Sequence, residues 1–153
     1  MLFRSRSPRP YSFQGFADFN RTYAAVLGEW GVFVDGANPV ARTNVAPVVG
    51  APGEPSLYGF SFTQPCASEA SPTFVVAGGG ELPEGVLDRD GIVALGDVST
   101  KGLAVKARFV MDLMENRLRG LGVDWSSVTA IDVYTMHNLT PILPEIVLER
   151  AGA

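Results

Sequence analysis

The sequence predicts an α+β domain. Three observations carry that expectation: apolar strand-like stretches in "SLYGFSFTQP" and "TFVVAG", a long amphipathic stripe in "STKGLAVKARFVMDLMENRLRGLG", and a segment apolar on both faces, "SVTAIDVYTM". Their order is strand, strand, helix, strand, helix. With 153 residues, 46% of them hydrophobic and 18% charged, the chain is long enough for one well-buried core.

At the start, "FRSRSPRP" gathers Arg4, Arg6 and Arg9 among prolines and serines, a composition that predicts a frayed tail rather than a binding arm. From Phe16 to Trp30, the residues Phe16, Phe19, Tyr23, Val26, Leu27 and Trp30 recur at three- and four-residue intervals, the period of an amphipathic helix. "VFVDG" after it reads as a short strand. Residues 37–55 carry Asn38-Pro39, Pro47, Gly50, Pro52, Gly53 and Pro55 with no period, which is loop chemistry. The natural boundary falls there: an N-terminal extension over 1–55 and the α+β domain over 56–153.

In the next stretch, Tyr58, Phe60 and Phe62 alternate to one side, and "TFVVAG" follows a polar turn at Ser68 to Ser71. The helix after Gly96 places Leu103, Ala107, Val110, Met114, Leu118 and Leu121 on one stripe, with Ser99 or Thr100 as N-cap and Gly122 as the stop. Lys106, Arg108, Asp112, Glu115 and Arg119 fall on the other face, which reads as solvated. "SVTAIDVYTM" carries apolar residues on both faces and fits an interior strand. Thr140 and Pro141 then make an N-cap and N1 pair opening a second helix, with Ile142, Ile146 and Val147 facing inward.

Charge excludes some functions. A net charge of −4 and a pI near 4.9 leave no basic face for nucleic acid. Cys66 is the one cysteine, so no intrachain disulfide or thiolate metal cluster can form, and with no basic neighbour in sequence it reads as a small semi-buried residue. No apolar stretch approaches the roughly 20 residues of a membrane span, and the N-terminus lacks a signal-type apolar region, so a cytoplasmic protein is expected.

The triplet Gly78, Gly79, Gly80 follows an apolar run as phosphate loops do. It lacks the Gly-Lys-Ser/Thr ending and a helix start, and Glu81 and Glu84 would repel an anion. Two readings stay open: a strand end turning through positive φ, or a bare backbone open to a ligand. His137, the one histidine, ends the interior strand and is the best acid or base in the chain, with Glu81 as the second candidate. No partner at ligand spacing supports a metal.

Taken together, "PTFVVAGGGELPEG", a short turn, and "GDVSTKGLAVKARFVMDLMENRLRGLGVDWSSVTAIDVYTMHNL" resemble the Rid family, the reactive-intermediate deaminases also called YjgF-type or endoribonuclease L-PSP proteins, and within it the members grouped with aminomuconate deaminases. The resemblance covers about residues 72–153. It implies a chorismate-mutase-like fold, a mixed β-sheet with two helices packed on one face, assembled as a homotrimer with clefts between subunits. It implies no cofactor. It also implies hydrolysis of an enamine or imine acid, such as a 2-aminomuconate, to a carbonyl compound and ammonia. The backbone at Ala77 and Gly78 matches the family's strand end and, with Gly79 and Gly80, would bind substrate; Ala77 lacks the family's usual hydroxyl. His137 and Asn138 stand where the family has polar residues. Family chains continue into one or two further strands, one of which carries an arginine for the substrate carboxylate, and the resemblance places no such strand before Ala153. Arg21, Arg42, Arg89 and Arg108 are the candidate anchors in this chain. The alternative is a non-catalytic ligand-binding or assembly module on the same fold, and ribonuclease activity is disfavoured by the acidic charge.

Overall fold

The chain's first regular element is a strand. In the computed structural model, which describes residues 2–65 and 73–152, Leu2–Arg6 (β1) is the central strand of a three-stranded sheet. β2 (Ala41–Val45) pairs with it in parallel, Leu2 opposite Ala41 and Arg6 opposite Val45, and β3 (Ser56–Ser61) pairs with its other edge antiparallel. The frayed tail expected of "FRSRSPRP" and the structureless loop expected over 37–55 are both corrected here. A ladder asks for backbone groups, not apolar side chains, and β1 is satisfied along both edges. Its charges also find partners: the Arg6 guanidinium lies 4.3 Å above the Tyr58 ring.

Parallel β1 and β2 need a crossover, and α1 (Phe13–Glu29) supplies it. Ser12 caps α1 by accepting from the Gly15 amide at 3.1 Å, and Leu27 on its inner face is fully buried. Beyond Gly31, the strand expected of "VFVDG" reduces to a single bridge between Val34 and Ala37. Asp35 and Gly36 between them have φ of 49° and 77°, the two positive values a tight type I′ turn requires.

Contacts divide the chain after Ala77, into Met1–Ala77 and Gly78–Ala153, so β3 belongs with the N-terminal residues. In the second unit α2 (Thr100–Gly120) has the boundaries its stripe predicts. Ser99 caps it through the Gly102 amide at 3.1 Å, and Asp97 folds over the same turn, where a Cβ at residue 102 would sit 2.3 Å from its carboxylate. The core here is Met111, Ile142, Ile146 and Val147, with Leu103, Ala104, Ala107, Trp125, Leu139 and Leu143 packed against it. The second helix is shorter than expected: a π-helical stretch, Pro144–Leu148, runs into α3 (Glu149–Ala151). Its lead-in is capped by Asn138, whose Oδ1 accepts from the Thr140 amide at 3.0 Å, rather than by Thr140 itself.

The chain is therefore α+β with a mixed sheet, but the strands lie elsewhere than the periodicity suggests. Residues 73–78 and 128–136 form no ladder among the described residues. Alternation records which faces favour burial; a strand also needs a neighbour's amides and carbonyls. In 128–136 the side chains of Ile131, Val133, Tyr134 and Met136 are exposed. Cys66 and the turn at 68–71 lie outside the described residues.

Candidate active site

A cavity of about 280 Å³ lies in the first unit between α1 and the sheet, with Phe3, Phe19, Tyr23, Trp30, Arg42 and Asn44 among its walls. Helical spacing puts Phe16, Phe19, Asn20 and Tyr23 on one face of α1, over β2. There the Arg42 guanidinium lies 4.6 Å from the Tyr23 ring centre, 4.9 Å from Phe19 and 5.8 Å from Phe16. Three rings around one cation partly offset its lost hydration.

Arg42 Nη2 donates to Asn20 Oδ1. Its Nη1 is buried and has no hydrogen-bond partner among the described residues, and the same is true of the Tyr23 hydroxyl. Nearby polarity is already committed, since Asn44 Oδ1 accepts from both Ser7 Oγ at 2.9 Å and Ser5 Oγ at 3.2 Å. Burial lowers the Arg42 pKa from its ordinary value, against the opposing influence of Tyr23 and Tyr11, and burial raises that of Tyr23. A guanidinium in this setting stays charged at neutral pH. It is a cation with an open donor in an aromatic cage, the arrangement that receives a small organic anion.

The other three candidate arginines are placed differently. Arg21 pairs with Asp18 at 3.1 Å and Arg108 with Glu145 at 2.5 Å, both on the surface, and Arg89 is exposed in a 3₁₀ turn.

In the second unit the glycine-rich stretch lies along α2. The Gly78 carbonyl accepts from Arg117 Nη1 at 3.1 Å, and Glu84 Oε1 accepts from Arg117 Nε at 2.9 Å. A Cβ on Gly79 would fall 2.6 Å from Leu113 Cδ2, so glycine allows the close approach to the helix. Positive φ is not its purpose: Gly85 turns that way, at 77°, while Gly78, Gly79 and Gly80 do not. Gly78 and Gly80 have open space where a side chain would be.

Glu81 accepts from Lys106 Nζ at 3.2 Å, and the Lys106 side chain is only 14% exposed against 44% for Glu81. The solvated face assigned to Lys106 is thus corrected. Leu103, Lys106, Val110 and Leu113 follow one another at three- and four-residue steps, so the sequence itself places Lys106 inside the apolar stripe.

His137 and Asn138 are exposed just after residues 128–136, and the His137 amide donates to Thr135 Oγ1 at 3.1 Å. Among the described residues no hydrogen bond joins the His137 side chain to Glu81. The structure groups Ala77 to Glu81 by chain continuity and holds Gly78, Gly79 and Glu81 to α2; it does not assemble the two acid–base candidates. Among the described residues no three His, Cys, Asp or Glu side chains stand where they would hold a metal ion. No helix among them is long and apolar enough to cross a membrane. Reasoning from sequence missed Tyr23 as a polar group of interest, because its place in a helical stripe reads as packing.

Residues 4–153 match the family described as "2-aminomuconate deaminase CnbZ". The chain is also similar to the 2-amino-5-chloromuconate deaminase of Comamonas testosteroni, 44% identical over 151 residues. That alignment covers 97% of this chain and 60% of the relative, so the chain spans less than two thirds of the relative's length. No solved structure matches it.

Proposed function

The chain belongs to the 2-aminomuconate deaminase CnbZ family, and on that premise we propose that it acts in hydrolytic deamination of an enamine or imine acid such as a 2-aminomuconate. The observation that carries this reading is Arg42, a caged cation whose Nη1 lacks a partner and which suits a substrate carboxylate. The cavity, about 280 Å³, is near the lower end of the roughly 300–1,000 Å³ common for ligand sites, in keeping with a small acid.

The reaction balances without an oxidant. A proton moves from the enamine nitrogen to carbon, giving the imine; water adds across C=N; the carbinolamine expels ammonia and leaves a ketone. One water is consumed and one ammonia released. What the protein supplies is a held carboxylate and groups that carry protons. In this reading His137 and Glu81 carry protons, with Glu81 oriented by Lys106. The backbone at Ala77, Gly78, Gly79 and Gly80, and Asn138 after the strand-like segment, are the further substrate contacts.

Assembly as a homotrimer with clefts between subunits, placement of the fold among Rid-type proteins, and a cytoplasmic setting go with this reading. The exposed apolar side chains of residues 131–136 support the assembly, since such a segment favours a covering surface.

Ammonia release from 2-aminomuconate, followed above the spontaneous rate, tests the proposal, and His137→Ala is expected to abolish the enzymatic part. Failure of the wild-type protein to exceed the spontaneous rate would overturn it. The exposed His137 favours a second reading, a module that binds a small acid without turning it over; binding of muconate with no ammonia release is its signature.

A further inference from the structure

Three buried side-chain polar atoms of the first unit lack a hydrogen-bond partner among the described residues, Thr43 Oγ1, Arg42 Nη1 and the Tyr23 hydroxyl, and the last two belong to residues of one cavity. Arg42 Nη1 and the Tyr23 hydroxyl are both buried, both belong to residues lining the same cavity, and the guanidinium lies 4.6 Å from the Tyr23 ring centre. Buried polar groups in folded proteins almost always find partners, so two orphans on residues of one cavity call for an acceptor there. Without an acceptor the pair costs stability; an anion accepting from both removes the cost.

We propose that Tyr23 is the second donor of the acid-binding cavity and a determinant of its specificity, sharing one carboxylate with Arg42. This inference deepens the deaminase reading and rests on Arg42 as its anchor. Three features of the page fit. Burial raises the Tyr23 pKa, so the hydroxyl keeps its proton and donates. The ring lies 4.6 Å from the guanidinium, so both residues present to the same part of the cavity wall. The remaining walls include three aromatic rings, Phe3, Phe19 and Trp30, against which a flat conjugated chain extending from the carboxylate can stack. The ligand class is a planar, conjugated carboxylic acid.

Tyr23→Phe separates this role from a structural one. The ring stays, so cation–π contact and packing persist, and only a hydroxyl without a partner leaves. In the free protein the melting temperature is therefore expected to hold or rise. Binding is measured by calorimetry with cis,cis-muconate, which has no amino group to lose, and with adipate, its saturated counterpart. Wild type should bind muconate more tightly than adipate, and Tyr23→Phe should weaken muconate about ten-fold or more, the loss of one hydrogen bond to a charged group. Unchanged muconate affinity in Tyr23→Phe, a fall in melting temperature with no change in affinity, or no binding by wild type would each overturn the proposal. Its failure is separable from that of the deaminase reading: Tyr23-dependent muconate binding without ammonia release sinks only the reaction, and ammonia release with Tyr23-independent binding sinks only the second donor.

Discussion

The two units of the chain solve the same problem with unequal completeness. In the first, β1 has a neighbour along each edge and the sheet carries α1. In the second, α2 and the residues after Leu139 close a core, yet the segments best suited to strands, 73–78 and 128–136, form no strand ladder among the described residues. Strand-forming character and strand formation are thus distinct. A strongly apolar, alternating segment forms no strand where no ladder is offered, and an arginine-rich one is held when two neighbouring strands exist.

Each unit has one fully buried leucine, and that pair gives the sharpest test of their independence. Leu27 is 1% exposed and Leu118 2%. Replacing either with alanine is expected to cost about 2–5 kcal/mol. The chain has two tryptophans, Trp30 in the first unit and Trp125 in the second, so Trp30→Phe and Trp125→Phe backgrounds let denaturant unfolding be followed in each separately. Leu27→Ala should shift the Trp30 transition and Leu118→Ala the Trp125 transition. Equal shifts of both would show one cooperative unit and break the comparison.

Function is expected to divide as well. Arg42→Gln removes the caged charge and should lower muconate affinity about ten- to hundred-fold while leaving the Trp125 transition in place. Lys106→Gln should instead lower the rate of ammonia release by disorienting Glu81, with muconate affinity in the first unit unchanged; Lys106→Arg should recover part of the rate.

The helix caps are a matched pair. Ser12 and Ser99 each accept from the amide three residues on, both at 3.1 Å. Serine to alanine at either site is expected to cost about 1 kcal/mol, seen as a shift in the unfolding midpoint of its own unit. A much larger loss at one of them would mark that helix as the less supported by packing.

Acid gives the smallest difference. Asp97 and Asp124 are held below the usual carboxylate range chiefly by side-chain hydrogen bonds from Ser99 and Ser126, and Glu115 chiefly by a hydrogen bond from Arg150. All three belong to the second unit. A carboxyl with a depressed folded pKa stabilises fully above its unfolded value, about pH 4, and that contribution fades as the pH falls through the lower folded value. The Trp125 signal should therefore change before the Trp30 signal on acidification, and high salt should reduce the Arg150 share of the effect.

How much of this was legible in the sequence depends on the range of the interaction. The Ser99 cap of α2, Leu118 in its stripe and the inward Ile142, Ile146 and Val147 are local patterns and read correctly, whereas Leu121 at the end of the stripe is exposed and the buried Met111 lay outside it. α1 was visible for the same reason. β1 and β2 were hidden because their stability comes from pairing across about 40 positions, which neither "FRSRSPRP" nor a proline-flanked "ARTNV" announces. The cavity was hidden likewise. Arg42 stood among four candidate arginines, and only the fold sets it against Phe16, Phe19 and Tyr23. Lys106 could have been found, since it interrupts an apolar stripe. The role of Gly79 could not, because the close approach of Leu113 is a tertiary fact.

The central position of β1 has a consequence for the order in which the chain can be made. Both of its neighbours come later, β2 after α1 and β3 after a further loop. During synthesis its backbone groups must wait for Ala41–Val45, and again for Ser56–Ser61, before either edge is covered. Pairings of such sequence separation form slowly, and uncovered edges are where nascent chains stick to one another. The arginines at positions 4 and 6 then have a use before the fold exists: two like charges on a waiting strand discourage it from pairing with its own kind.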